Sequence, residues 1–190
     1  ASGLMIRTFV ALLNVEPGFA APADVQTARV WVPPSQVTDL ERVTRLQHEI
    51  LDKVAALPGV KAAAFASAVP MEGPLRVSLA PVFVEGKDPA PGTTPPMRRM
   101  KTVSPGYFAA IGTRLIAGRD ITWNDIYGRV KVAIVSENFA RELWGSPAAA
   151  LGHRVRDSVP ASGDGWRQII GVVEDVHEDA LYQTPPAFVF

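Results

Sequence analysis

The hydrophobic positions of the chain change period several times, and each change marks an element. From Asp39 to Leu57, the residues Leu40, Val43, Leu46, Ile50, Leu51, Val54 and Leu57 recur at spacings of three and four. That is the pattern of one apolar helical face. Thr38 and Glu41 offer a capping box at its start, and Pro58-Gly59 ends it. Ahead of this helix, Val25 to Pro33 alternates, with Val30 and Val32 on one side and Arg29 and Trp31 on the other, so a strand is predicted. Behind it, Val60 to Val69 is alanine-rich and fits a helix by propensity, while the Pro-Gly break favours a strand. Taken as a strand, it completes a β-α-β unit over residues 25–69, with parallel strands and a right-handed crossover.

Punctuation is densest from Val103 to Gly145. Ser104 can cap a helix that opens at Pro105, whose fixed φ suits a first helical position. Tyr107, Phe108 and Ile111 then share a face, and Gly112 ends the helix. Leu115 and Ile116 form a brief apolar run, and Gly118 turns the chain into Arg119 and Asp120, followed by a polar turn. Lys131 to Val135 has the β-branched content of a strand. Ser136 can cap a second helix with an apolar stripe of Phe139, Ala140, Leu143 and Trp144, closed by Gly145.

The rest reads more coarsely. Residues 70–96 are rich in Pro and Gly, with one short β-like run at Val82 to Val84. Met97 to Val103 is a candidate strand carrying Arg98, Arg99 and Lys101, either a small anion patch or an edge strand guarded by charge. Leu151 to Val155 leads into a polar loop at 158–165. In Trp166 to Val176, the near-continuous run Ile169, Ile170, Val172 and Val173 predicts a strand buried on both faces. Ala187 to Phe190 reads as a further strand, and no internal repeat is present. Leu4 to Leu13 is apolar on most of a helical surface, interrupted only by Arg7 within that run, which fits a core helix.

Totals narrow the function classes. Nineteen Lys and Arg balance nineteen Asp and Glu over 190 residues, which removes the electrostatic argument for nucleic-acid binding. With no cysteine, disulfides, zinc-thiolate sites and thiol chemistry are excluded. No apolar run approaches the roughly 20 residues of a membrane span. The chain starts at Ala1 and stops at Phe190 inside a strand-like run, as a piece cut from a longer protein would.

Catalytic grammar is sparse. There is no G-x-S-x-G elbow, and Gly163-Asp164-Gly165 is followed neither by a third glycine nor by Gly-Lys-Ser/Thr. Glu174, Asp175, His177, Glu178 and Asp179 crowd one short run, as metal ligands or as a charged strand exit. His48 lies on the polar side of the long helix and His153 in a turn, neither beside a nucleophile. Arg119 with Asp120 and Asp125 invites a catalytic reading, against that of a structural pair holding the turn.

Four stretches in order resemble one family: Arg7 to Phe19, Ala56 to Gly73, the Val103 to Gly145 block with SPGYF, GRD and ARELWG, and Trp166 to Val176. Together they are similar to the extracytoplasmic core domain of MacB-like, FtsX-type ABC transporter permeases, closest to the duplicated permeases of soil bacteria. The resemblance implies an α+β fold. Residues 25–69 with 166–190 would form a porter-like α/β subdomain, residues 70–165 an inserted sabre-like one, and residues 1–24 a membrane-exit helix and linker. It implies structural motif positions at Pro58, Gly59, Pro105, Tyr107, Phe108, Gly112, Gly118, Arg119, Asp125, Trp144 and Gly171, and neither cofactor nor catalysis. Implied partners are the membrane part of the same permease and a cytoplasmic ABC ATPase, with a second permease half or a periplasmic adaptor as further candidates. The implied role is mechanotransmission outside the inner membrane, in the periplasm. A stand-alone ligand-binding or sensor domain is the alternative. A deep pocket lined by Tyr107, Phe108, Trp123 and Trp144 would favour the sensor, and aromatics consumed in packing would favour the transmitter.

Overall fold

The computed structural model describes residues 7, 15–19, 25–31, 33, 39–73, 77–87, 89–90, 92–157 and 165–190. In chain order its elements are α1 (Leu40–Ala55), β1 (Ser78–Pro81), β2 (Phe83–Val84), β3 (Met97–Met100), α2 (Tyr107–Ile111), β4 (Leu115–Gly118), α3 (Trp123–Tyr127), β5 (Val132–Ser136), α4 (Glu137–Trp144), α5 (Pro147–Ala150), β6 (Arg154–Arg156), β7 (Arg167–Val173) and β8 (Phe188–Val189). The apolar reading of residues 4–13 lies outside the described residues.

The run Ile169 to Val173 builds the strand around which the rest assembles. β7 pairs with β5 in parallel and with β6 and β4 antiparallel, inside a mixed sheet ordered β1-β3-β8-β5-β7-β6-β2. Ile169, Val172 and Val173 are buried, as a strand covered on both faces requires. On one face Ala133, Val135, Ile169, Val172 and Val189 pack beneath Phe139 and Ala140 of α4 and Ala150 of α5. On the other, Ile134 and Val173 pack beneath Tyr107, Phe108 and Ile111 of α2. A register shift between Ala133 and Ile134 of β5 opposes Ile134 to Gly171 rather than Ile170. This bulge resets the alternation along β7, so that Ile169 and Val172, three positions apart, pack into the same cluster.

Two glycines permit the β4–β7 contact. Gly118 has φ +75°, and a Cβ there would meet the Ile170 carbonyl oxygen at 2.1 Å, while a Cβ on its register partner Gly171 would meet the Arg119 carbonyl oxygen at 2.4 Å. The close approach lets the Arg119 amide donate to that Ile170 oxygen at 2.9 Å.

Of the β-α-β unit expected over residues 25–69, the helix is present and neither flanking strand is seen among the described residues. Residues 25–31 and 33 carry no strand, and Trp31 is 76% exposed. Val30 and Trp31, on opposite sides of the alternation, are both exposed, so that segment offers no buried face. Residues 60–69 carry only an antiparallel bridge from Ala66 to Val103, supported by Ser67 N–H to the Thr102 oxygen (2.9 Å) and Ser104 N–H to the Phe65 oxygen (2.9 Å). The alanines give this stretch little side chain to bury, and it lies as a hydrogen-bonded fringe. Strands from residues 70–165 and from 166–190 share the one sheet.

Capping also departs from expectation. Asp39 caps α1, its carboxylate accepting from the amides of Glu41 and Arg42, while Thr38 lies outside the described residues. α2 opens at Tyr107 behind Gly106, because the Ser104 hydroxyl accepts from the Phe65 amide (2.9 Å) and so ties in the 60–69 fringe. Ser136 precedes α4, but its hydroxyl donates to Asn138 Oδ1 (2.6 Å) and accepts from the Phe188 amide (2.8 Å), spending its capping capacity on β8. The expected polar turn after Asp120 is helical: Thr122 and Asp125 form a capping box for α3.

Candidate functional site

The run Glu174 to Asp179 is where the chemistry of the molecule concentrates. It leaves β7 and crosses to β8, and each of its polar residues reaches a different part of the fold. Glu174 pairs with Arg114 ahead of β4, and the Asp175 carboxylate accepts from the Asn138 amide (2.9 Å) at the start of α4. The His177 amide donates to the Pro17 oxygen (3.0 Å). Asp179 forms a fork with Arg99, at 3.0 and 2.5 Å. Glu178 meets Lys101 at 2.5 Å, with both side chains at or below 2% exposure.

This last pair has the most demanding electrostatics. The Lys101 ammonium also donates to the Tyr107 hydroxyl (3.3 Å) and lies over the Tyr107 and Phe188 rings at 5.7 and 5.3 Å. Burial pushes the lysine down from its ordinary value against the attraction of Glu178. Burial likewise pushes the Glu178 carboxyl up, opposed by Lys101. Its Oε2 is buried with no hydrogen-bond partner. Desolvation of this kind can offset most of the Coulombic gain, so the pair holds position more than it stabilises.

The two sequence readings of this region are therefore corrected together. Strand β3 is not a guarded edge: it lies between β1 and β8, and Arg98, Arg99 and Lys101 are met by Glu142, Asp179 and Glu178. The acidic run is not a solvated strand exit, because Glu178 and Asp179 pair with Lys101 and Arg99, Glu174 with Arg114, and Asp175 with the Asn138 amide. Two of the three basic residues, Arg99 and Lys101, thus meet two carboxylates of the run about eighty residues away.

At the GRD turn the structure brings Arg119 to Asp125. Arg119 and Asp125 form a two-pronged contact at 2.6 and 2.8 Å, and Thr122 donates to the same carboxylate through its hydroxyl (2.6 Å) and amide (2.9 Å). The arginine hydrogen bonds, followed by those from Thr122, hold Asp125 well below the usual carboxylate range. Asp120 points elsewhere, accepting from the amides of Gly106 (3.3 Å) and Ile121 (2.7 Å), and burial raises its carboxyl.

The remaining motif residues are packing and turn elements. Tyr107 and Phe108 are buried, edge-on to each other, and Phe108 is also edge-on to Phe190. Trp144 is half-buried between Phe139 and His153. Gly112 closes α2, while Pro105 sits in the turn ahead of it, and Pro58 and Gly59 form an exposed turn after α1. His48, on the polar side of α1, stacks on Trp123 at 3.9 Å and bonds the Tyr127 hydroxyl at 2.8 Å. Nothing in the sequence linked positions 48 and 123.

A hollow of about 90 Å³ lies between the proline-rich loop and α4, lined by Val82, Val84, Pro95, Pro96, Phe139 and Leu143 among others. Ligand pockets run several-fold larger. An open groove of about 430 Å³ has walls from α1 and its capping residue alone. Neither gathers Tyr107, Phe108, Trp123 and Trp144.

No family profile matches the chain, and no curated protein matches it. Among solved structures it is similar to the periplasmic region of MacB from Actinobacillus actinomycetemcomitans, at 15% identity and a TM-score of 0.49 over 75% of this chain and 53% of that one. It is also similar to the extracellular domain of the noncanonic ABC-type transporter YknZ from Gram-positive bacteria, at 20% identity and a TM-score of 0.45 over 75% of this chain and 60% of that one. The chain thus spans between half and two thirds of the length of these domains.

Proposed function

We propose that the chain is an extracytoplasmic domain of an ABC-type permease. In this reading it is a non-enzymatic transmitter that couples membrane helices and a cytoplasmic ATPase to a substrate or partner outside the membrane. One observation carries the choice of transmitter over sensor: the aromatic side chains that could line a binding pocket are consumed in packing. Tyr107 and Phe108 lie in the core, Trp123 is covered by His48, and Trp144 is held between Phe139 and His153. The ordered resemblance of four sequence stretches supports the permease context. The ion pairs add rigidity between segments, which a force-bearing domain needs.

The test is made in the source organism with the parent protein tagged next to this domain. Membrane fractionation, protease accessibility from outside the cytoplasmic membrane and co-purification are then measured. The expected result is a membrane-bound protein whose tagged domain is cleaved from outside and which retains an ABC ATPase. Recovery in the cytoplasm without that ATPase would overturn the proposal.

A further inference from the structure

Strands β2, β6 and β7 lie side by side at one end of the sheet and bring Phe83, Arg156 and Trp166 into one row. Phe83 is the register partner of Arg156, and Trp166 lies opposite it, one step beyond the Val155–Arg167 pair. The guanidinium carbon of Arg156 sits 5.1 Å from the Phe83 ring centre and 4.6 Å from that of Trp166. Neighbouring strands are about 4.8 Å apart, so a long cation on the middle strand can rest against an aromatic ring on either side. All three side chains are half-buried.

Charge balance sets this arginine apart from its neighbours. Arg154, two residues earlier on the same side of β6, has the Glu85 carboxylate on its fork, with Nε at 2.7 Å and Nη2 as the second prong. Asp157, the next residue in the chain, is turned to Arg167 at 3.3 Å. Arg156 has neither an ion pair nor a hydrogen bond among the described residues, and its Nε is shut away from water without a partner. The rings attract the cation but do not neutralise it, and a guanidinium does not shed its proton. With Nε closed and a ring on either side, the two Nη groups are the end left to take a partner.

We propose that Arg156 is a docking anchor for one carboxylate, an Asp or Glu side chain presented by a protein partner. The Nη groups hold its two oxygens as a fork, and Phe83 and Trp166 pack against its stem. The rings already restrict the arginine, so binding has little more of it to order. Arg and Trp are also the residue types on which interface energies concentrate. The neighbours select the anion. One uncompensated positive charge matches one carboxylate, whereas a phosphate dianion would also face the carboxylates of Glu85 and Asp157. The charges of the whole chain balance, so no wider field draws a nucleic acid or an anionic membrane. The inference does not depend on the permease reading.

Nuclear magnetic resonance titration of the whole chain tests it, with the Trp166 indole N–H and the Arg156 Nε–H as reporters. The probes are a capped Ala-Glu-Ala peptide, its Ala-Gln-Ala counterpart, inorganic phosphate and phosphatidylglycerol vesicles. The Glu peptide should shift both signals saturably and bind roughly 10-fold more tightly than the Gln peptide, with phosphate and vesicles weaker than the Glu peptide. Arg156→Gln should remove that preference while the amide signals of β5 and the rest of β7 keep their positions. Arg156→Lys keeps the charge without the fork, should weaken the preference roughly 3-fold, and serves as the readout if Arg156→Gln does not fold. Equal affinity for the two peptides, no saturable shift with the Glu peptide, an unchanged preference in the variants, or tighter binding of phosphate or vesicles overturns the anchor.

Discussion

Helix α1 and the paired strands β5 and β7 are the two most strongly patterned apolar segments of the chain, and the fold uses them in opposite ways. In β5 and β7, the residues Ala133, Ile134, Val135, Val172 and Val173 are wholly buried. In α1 only Leu51 reaches the core among the described side chains, while Leu46 and Val54 stay substantially exposed, as does Leu57 just beyond it. The helix is held at points instead: His48 against Trp123 and Tyr127, and Glu41 against Arg129 at 2.5 Å. Its own ends supply the rest, through the Asp39 cap and the Glu41–Arg45 pair. Periodicity reports that a segment has an apolar face, whereas topology decides whether anything covers it.

The contrast is broken most directly by truncating the buried side. Phe139→Ala removes a ring that is 1% exposed and packs under both Trp144 and the sheet. It should cost about 3 to 5 kcal/mol, read by urea denaturation. A loss below about 1 kcal/mol would mean that α4 can collapse onto the sheet and that the buried region is no tighter than α1. Gly118→Ala ranks next. The new Cβ would collide with the Ile170 oxygen from a positive φ, for a cost of about 2 to 3 kcal/mol. A neutral outcome would show that β4 shifts freely along β7.

Arg119→Ala tests the turn between these regions. The guanidinium is half exposed, so solvent screening leaves about 1 kcal/mol for a contact that would be worth more if buried. Its pH dependence has a definite sign. Asp125 is held below the ordinary aspartate value of about 3.9, so its contribution is present above that pH and is lost as pH falls through the folded value. Asp175 and Glu178 are shifted upward by burial, so acidification relieves rather than removes their effect. The stability gap between parent and variant should therefore be constant from pH 7 to about 5 and close toward pH 2. A gap that widens on acidification would refute the assignment to Asp125.

The sequence made the core strands and helices legible because their cues are local. The apolar run of β7, the stripe of α4 and the glycines at 112 and 145 each act within a few residues. It misled where a local cue had a distant competitor. Ser104 and Ser136 are good caps by type, but the Phe65 and Phe188 amides claim their hydroxyls. The ion-pair run was hidden for the same reason, since Lys101 and Glu178 meet only after β8 enters the sheet. Helix α3 is hard to see for a different reason: the Asp125 carboxylate that completes its capping box with Thr122 is also the partner of Arg119, and the helix it opens is only five residues long.

On the α1 side the effects should be smaller and local. His48→Ala removes the stacking on Trp123 and the bond to Tyr127, at a cost of about 1 kcal/mol. If α1 is tethered at points, exchange of its amides should accelerate while those of β5 and β7 keep their protection. Uniform acceleration would place α1 in the core's cooperative unit and erase the distinction.

The smallest effect is expected at Leu46 and Leu57, and it is the most discriminating. Both side chains are roughly half exposed, and hydrophobic stabilisation scales with the area removed from water. Gln at position 46 leaves helix propensity almost unchanged, position 57 lies beyond the helix end, and either replacement forfeits little buried surface, so stability should stay within about 0.5 kcal/mol of the parent. The same substitution at Leu51, one turn away but buried, should cost several times more, because it strands an amide against the body of the protein. Thermal melts of the three variants side by side decide the matter. Equal losses at positions 46, 51 and 57 would mean that the outward ridge of α1 is covered in solution, and the contrast between a buried sheet and a point-tethered helix would then fail.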